Sequence, residues 1–247
     1  IRPLPEAEIK QLHNINIIHE GNTRALLLLH GFSSSPAVYR ALWPMLKDYN
    51  ALVCPALPGH AMNLEAFTQA TAKAWLTAAE AACRPLMEHY EHVEIIGLSL
   101  GGLLACHLAN QFPISHLYLL APALKLRFNI NLAKGVAQFL LAFGVKHIKN
   151  RAGNLHTHLH DELAYRKLPL RTLIELFNLI DTFNFSTPAC NTDLFLGSHD
   201  DVVDSPSVMK QFEAHPNCTT HWLDHSAHAL PLDGDIDAIT ACVNSRA

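Results

Sequence analysis

The run Ala25-Leu-Leu-Leu-Leu29 is apolar at every position. A strand with one wet face alternates apolar and polar residues. A short unbroken apolar run is instead expected of a strand covered on both faces, as in a parallel sheet sandwiched between helices. Further short runs repeat the signal: Ala51-Leu-Val-Cys54, Val93-Glu-Ile-Ile96, His116 to Leu120, Thr192 to Leu196 and Thr219 to Leu223. Helical spacing fills the gaps, at Pro36 to Lys47, Thr68 to Tyr90, Ser99 to Gln111, Pro206 to Ala214 and Asp235 to Val243. Pro85 is expected to kink or split the second of these. Ile15 to His19 reads as an antiparallel edge strand. The alternation predicts an α/β fold with a mainly parallel central sheet flanked by crossover helices.

The alternation breaks off between Lys125 and Thr187. Leu132, Val136, Phe139, Leu140 and Phe143 make one helical apolar face, and Leu170, Leu173, Ile174, Phe177 and Ile180 make another. A polar, His-rich stretch separates them, and no strand signal is seen. The expected division is a core of residues 1–124 and 188–247 with a helical cap at 125–187 over one end of the sheet. The longest apolar stretch, Val136 to Val145, contains Gln138 and Gly144 and is half the ~20 residues needed to span a bilayer, so no transmembrane segment is expected. With 18 basic and 22 acidic residues the chain carries no electrostatic footprint for nucleic acid. Its six cysteines form no C-x-x-C pair, and they read as buried thiols of a reducing, cytoplasmic compartment, with a disulfide or metal set as the alternative.

Gly97-Leu-Ser-Leu-Gly101 sits between an expected strand and an expected helix. At this Gly and Ser content roughly 0.02 accidental G-x-S-x-G matches are expected. A serine hydroxyl is a poor nucleophile at neutral pH and must be presented to a base. A tight turn lifts Ser99 above the sheet edge, and crowding in that turn leaves room only for glycine at 97 and 101. Acyl transfer also needs amide donors for the oxyanion. Leu100, after the nucleophile, and Phe32, in the His30-Gly-Phe32 loop after the first buried strand, are the candidates. Gly197-Ser-His-Asp200-Asp-Val-Val203 follows a late strand, and a carboxylate there could orient a histidine. Asp200, Asp201 and Asp204 compete for that role, Asp200 being favoured. Asp224-His-Ser-Ala-His228 follows the last strand, with His228 the favoured base and His225 its rival.

Together with Leu57-Pro-Gly-His60, these motifs resemble the serine α/β-hydrolases, in particular the carboxylesterase and monoacylglycerol-lipase-like group. The resemblance spans the chain from about Ala25 to its end. It implies Ser99, Asp200 and His228 as nucleophile, acid and base, with the Phe32 and Leu100 amides as oxyanion hole. It also implies a cap in the 125–187 insertion and a small-molecule ester substrate, and Phe139, Phe143 and Phe177 in that insertion suggest an acyl chain or another apolar group on it. No cofactor is expected, since G-x-G-x-x-G and P-loop patterns are absent. No metal is expected at His156-Thr-His-Leu-His160, which lacks an H-E-x-x-H pattern. The same machinery would serve a thioesterase or another acyl hydrolase or transferase, and a non-catalytic ligand-binding protein is the rival of another class. Two positions depart from the family's habit. The strand before Gly197 opens with the polar Asn191-Thr-Asp193, and Asp204 stands where proline is frequent.

Overall fold

The computed structural model describes residues 13–150 and 154–245. The ends of the expected core, 1–12 and 246–247, and residues 151–153 of the expected cap lie outside the described residues. In chain order the elements are β1 (Ile15–Ile18), β2 (Arg24–Leu29), β3 (Ala51–Cys54), α1 (Leu64–Gln69) and α2 (Ala72–His89). Next come β4 (His92–Leu98), α3 (Leu100–Ala109), β5 (His116–Leu120), α4 (Ile130–Ala142), β6 (His147–Lys149), β7 (Lys167–Pro169) and α5 (Leu170–Thr182). The chain closes with β8 (Asn191–Gly197), α6 (Ser205–Phe212), β9 (Cys218–Leu223) and α7 (Ile236–Ser245).

Seven strands form one sheet in the order β1-β3-β2-β4-β5-β8-β9. Every pairing is parallel except β1 with β3, so the edge strand is antiparallel as expected. The alternation of side chains supplies both faces. Leu27, Leu29, Ile95, Leu117, Leu119, Leu194 and Leu196 pack with Trp75, Ala79 and Cys83 of α2 and Leu103 and Leu104 of α3. Leu26, Leu28, Ile96, Tyr118, Leu120 and Phe195 pack on the other side with Tyr39, Leu42, Ile239 and Val243. Register aligns the strand ends: Leu29 lies opposite Gly97, Leu98 opposite Leu120, and Gly197 opposite Leu223. The loops that follow β2, β4, β8 and β9 therefore leave from one edge of the sheet.

Three expectations are corrected. Residues 36–47 do not form one α-helix but two 3-10 turns, Pro36–Tyr39 and Trp43–Met45. A second proline, Pro44, lacks the N–H that a continuous helix would need there. The 68–90 helix is instead two helices, but Pro85 does not divide it. The break falls at Ala70, where the Thr71 side chain accepts from the Ala74 amide and starts α2 anew. Helix α2 runs through Pro85, because Pro85 and Ala81, whose carbonyl loses its helical donor, are both exposed to water. The insertion also has strands. Between α4 and α5, β6 and β7 pair antiparallel over three residues each. Among the described residues no helix is long and apolar enough to cross a membrane.

Helix α5 buries its apolar face, with Phe177 3% exposed and Leu176 and Ile180 nearly as covered. Helix α4 turns much of its face outward: Leu132, Phe139 and Phe143 are 62–73% exposed. The polar opening of β8 keeps a regular register, with Asp193 opposite Tyr118 and Thr219. Asp204 caps α6, its side chain accepting from the Ser207 amide at 3.2 Å.

Candidate active site

Ser99 occupies the bend between β4 and α3 with φ 53° and ψ −113°. Such a backbone is unfavourable for a residue with a Cβ and persists only where its surroundings impose it. Here the Ser99 amide donates to the Leu120 carbonyl at 2.9 Å, and its carbonyl accepts from Ala123 at 2.9 Å and Gly102 at 3.0 Å. The neighbouring space explains the glycines. A Cβ at Gly101 would stand 1.9 Å from the Leu29 carbonyl oxygen, and one at Gly97 would stand 2.4 Å from that of Gly101.

The loop after β2 comes close to the serine: a Cβ at Gly31 would lie 3.4 Å from that of Ser99. Two histidines, whose part in this loop was not legible in the sequence, hold it. Buried His30 accepts the Leu57 amide at Nε2 (3.0 Å), so its Nδ1 carries the proton and donates to the Gly31 carbonyl (2.9 Å). Burial drives its pKa down to about 4, which keeps it neutral. His60 accepts the Ser33 amide at Nε2 (3.2 Å), and burial lowers it well below its ordinary value. Its ring packs edge-on against Phe32 and Phe67. Among the described residues the amides of Phe32 and Leu100 have no protein acceptor, so both are available to a ligand oxygen.

Asp200 and His228 are brought together. Asp200 Oδ2 lies 2.8 Å from His228 Nδ1, and Oδ1 accepts from the amides of Val202 (2.8 Å) and Val203 (2.9 Å). Asp200 is 1% exposed. Burial opposes its charge, but His228 and the two amides outweigh burial and hold the carboxyl below its usual range. Burial likewise opposes protonation of His228. The charge and hydrogen bond of Asp200 outweigh it, with Glu162 and Asp201 adding to the effect, and the imidazole sits above its ordinary value. The rivals point elsewhere. Asp201 pairs with Asn154, Asp204 caps α6, and His225 is exposed with its amide on Asp235. No hydrogen bond joins Ser99 to His228 among the described residues. With Nδ1 engaged by Asp200, Nε2 is the nitrogen left for a hydroxyl.

The insertion grips both the Asp200 loop and the His228 loop through residues that no motif marked. Arg127 donates to the Asp200 carbonyl at 2.5 Å, and its own amide bonds to Val202. Asn154 accepts the His228 amide at 2.9 Å on its side chain. Fully buried Asp233 accepts from the amides of Ala227 (2.8 Å), His156 (2.7 Å) and Thr157 (2.8 Å), tying the insertion to the histidine loop. The only forewarning of Asp233 is its place in Leu232-Asp-Gly-Asp, a turn signal. The His156 ring stacks on that of His199 at 3.8 Å.

Known proteins resemble the chain in sequence and in fold. The chain is 24% identical over 229 residues to a carboxylesterase of Bacillus subtilis (strain 168), covering 89% of this chain and 90% of that one. It is 25% identical over 190 residues to a thermostable monoacylglycerol lipase of Bacillus sp. (strain H-257), covering 74% and 73%. A solved structure of the metagenome-derived lipolytic enzymes LipS and LipT superposes with a TM-score of 0.81 at 23% identity, over 96% of this chain and 97% of that one. The family model described as "Alpha/beta hydrolase family" matches residues 26–240, most of the chain: the chain belongs to the alpha/beta hydrolase family.

Proposed function

We propose that the chain hydrolyses carboxylic esters through an acyl-enzyme on Ser99, with His228 as general base and Asp200 as its orienting carboxylate. The observation that carries this reading is the bond between Asp200 Oδ2 and His228 Nδ1, in a carboxylate whose other oxygen is taken by two amides. It fixes the imidazole in the tautomer whose Nε2 accepts a proton. The relatives named as carboxylesterase and monoacylglycerol lipase support the ester as substrate.

His228 Nε2 takes the Ser99 proton as Oγ attacks the ester carbonyl. Negative charge develops on the carbonyl oxygen and is met by the Phe32 and Leu100 amides, each donor being worth about 3 kcal/mol in the transition state. The N-terminus of α3 adds its partial positive charge. Collapse expels the alcohol, protonated by His228. Water deprotonated by the same ring then attacks the acyl-enzyme and releases the acid. Residues 125–187 act as the cap, and the substrates are short to medium acyl esters or monoacylglycerols.

The test is turnover of p-nitrophenyl acetate, butyrate and octanoate together with labelling by a fluorophosphonate probe. Ser99→Ala is expected to abolish both. Labelling that persists in the variant refutes Ser99 as nucleophile, and a native chain that neither turns over nor labels refutes the enzyme reading.

A further inference from the structure

At the opposite end of the sheet from the catalytic loops lies a second convergence of chemistry-bearing side chains. Asp193 on β8 and Gly197 are four residues apart, ~13 Å along the strand. Asp193, His221 of β9 and Cys242 of α7 each offer one ligand atom, and these atoms all lie within 4.8 Å of one another. His221 Nε2 is 2.7 Å from Asp193 Oδ1 and 4.0 Å from Cys242 Sγ. We propose that Asp193, His221 and Cys242 form a binding site for a divalent zinc-like cation, with the fourth position open to water.

Three observations support a metal rather than a second catalytic set. First, in a Cys-His-Asp triad the thiol and the carboxylate would sit at opposite ring nitrogens, as Asp200 sits at Nδ1 of His228. Here both face the same nitrogen, Nε2, which is the geometry of ligands around a common centre. Second, the distances need little adjustment. Zinc bonds of about 2.3 Å to sulfur and 2.0–2.2 Å to nitrogen and oxygen, at tetrahedral angles, place ligand atoms about 3.4–3.6 Å apart. The thiol must move in and the His221–Asp193 pair must open, each by less than ~1.5 Å. Third, the supporting shell is built. The other Asp193 oxygen is held by His116 Nε2 at 2.8 Å, which orients the carboxylate, and the His221 ring lies stacked on Phe195 at 4.6 Å. Asp193 is 1% exposed, while the His221 side chain, 31% exposed, opens a route from solvent. A thiolate, an imidazole and a carboxylate together suit zinc far better than calcium or magnesium. Binding displaces the thiol proton and moves the remaining imidazole proton to Nδ1.

The full chain, freed of metal by chelation, is titrated with cobalt(II), and thiolate-to-cobalt charge-transfer absorption is followed in the near ultraviolet. One equivalent is expected to saturate the band, and zinc to abolish it. Cys242→Ser should lack the band, Cys218→Ser should keep it, and His116→Asn should weaken binding roughly 10–100-fold. Histidine-only sites in the insertion give no such band. As a check that needs no variant, zinc should slow alkylation of Cys242 and leave that of Cys190 unchanged. Absence of the band in the native chain, its survival in Cys242→Ser, or alkylation of Cys242 indifferent to zinc would each overturn the site and leave the trio a buried ion pair beside a thiol.

Discussion

Asp200→Asn tests the proposed chemistry at its most constrained point. An asparagine has the shape of the aspartate but presents one oxygen and one amino group. In the structure one carboxylate oxygen already receives two buried amides, from Val202 and Val203, at 2.8 and 2.9 Å. Turning the amino group toward them would leave two donors facing donors, at roughly 1–3 kcal/mol each. That orientation is disfavoured by at least ~30-fold. The asparagine therefore keeps its oxygen on the amides and offers N–H to His228 Nδ1. The ring must then accept at Nδ1 and carry its own proton on Nε2, where it can no longer take one from Ser99. The expected loss is about 10⁴-fold in kcat, or about 5.5 kcal/mol of transition-state stabilisation, with the fold retained. In the native chain kcat/KM should rise with pH through a His228 pKa held above its ordinary value. Stopped-flow or plate assays with p-nitrophenyl butyrate from pH 5 to 9 measure both, with circular dichroism to confirm folding. A folded Asp200→Asn chain within tenfold of native activity would refute the tautomer argument, and a larger loss in Asp201→Asn would refute the choice of carboxylate.

Three further outcomes are expected. Ser99→Gly removes the Cβ from a φ of 53° and should raise stability by about 1 kcal/mol in thermal or urea unfolding while eliminating turnover; an unchanged or lower midpoint would mean the bend is unstrained. His30 is held neutral in the fold, with a pKa of about 4 against 6.5 when unfolded. The unfolded chain then binds the extra proton, so this contribution is complete above pH 6.5 and is lost as pH falls toward 4, on the order of 3 kcal/mol. His30→Asn, which keeps an acceptor for the Leu57 amide, should flatten the pH dependence of urea unfolding in that window, and an identical slope would contradict the assignment. Pro85→Ala restores the donor for the Ala81 carbonyl in a helix that already runs straight past it in sequence, and should stabilise by about 1–3 kcal/mol; no gain would show that the site is set by packing of α2.

Local chemistry made much of the fold legible. Ala51 to Cys54 and His116 to Leu120 are strands to the residue, their apolar runs followed closely by Pro55 and Pro122. Ser99 was legible because Gly97 answers a contact within its own turn, with Gly101, although Gly101 itself makes room for the distant Leu29 carbonyl, which no local pattern shows. What stayed hidden depends on partners far away in the chain. Asp193 looked out of place in β8 until β5 and β9 brought His116 and His221 beside it. Asp200 was favoured over Asp201 from the order of motifs, but its partner His228 and the insertion's Arg127 on its carbonyl were not visible there. Pro36 read as the first turn of a helix, and nothing local said that the chain would settle for two 3-10 turns. The β6–β7 hairpin, three residues per strand, is too short to show a period.

Arg127 and Asn154 carry a consequence for anyone who would re-engineer this enzyme. In a scaffold whose roof is a detachable part, a foreign segment grafted between β5 and β8 would change what enters and leave the chemistry alone. Here residues within the roof itself, Arg127 near its start and Asn154 near its middle, brace the Asp200 and His228 loops, so a transplant must bring an equivalent of each brace or lose the geometry of those loops. Substrate choice and catalytic competence are inherited together.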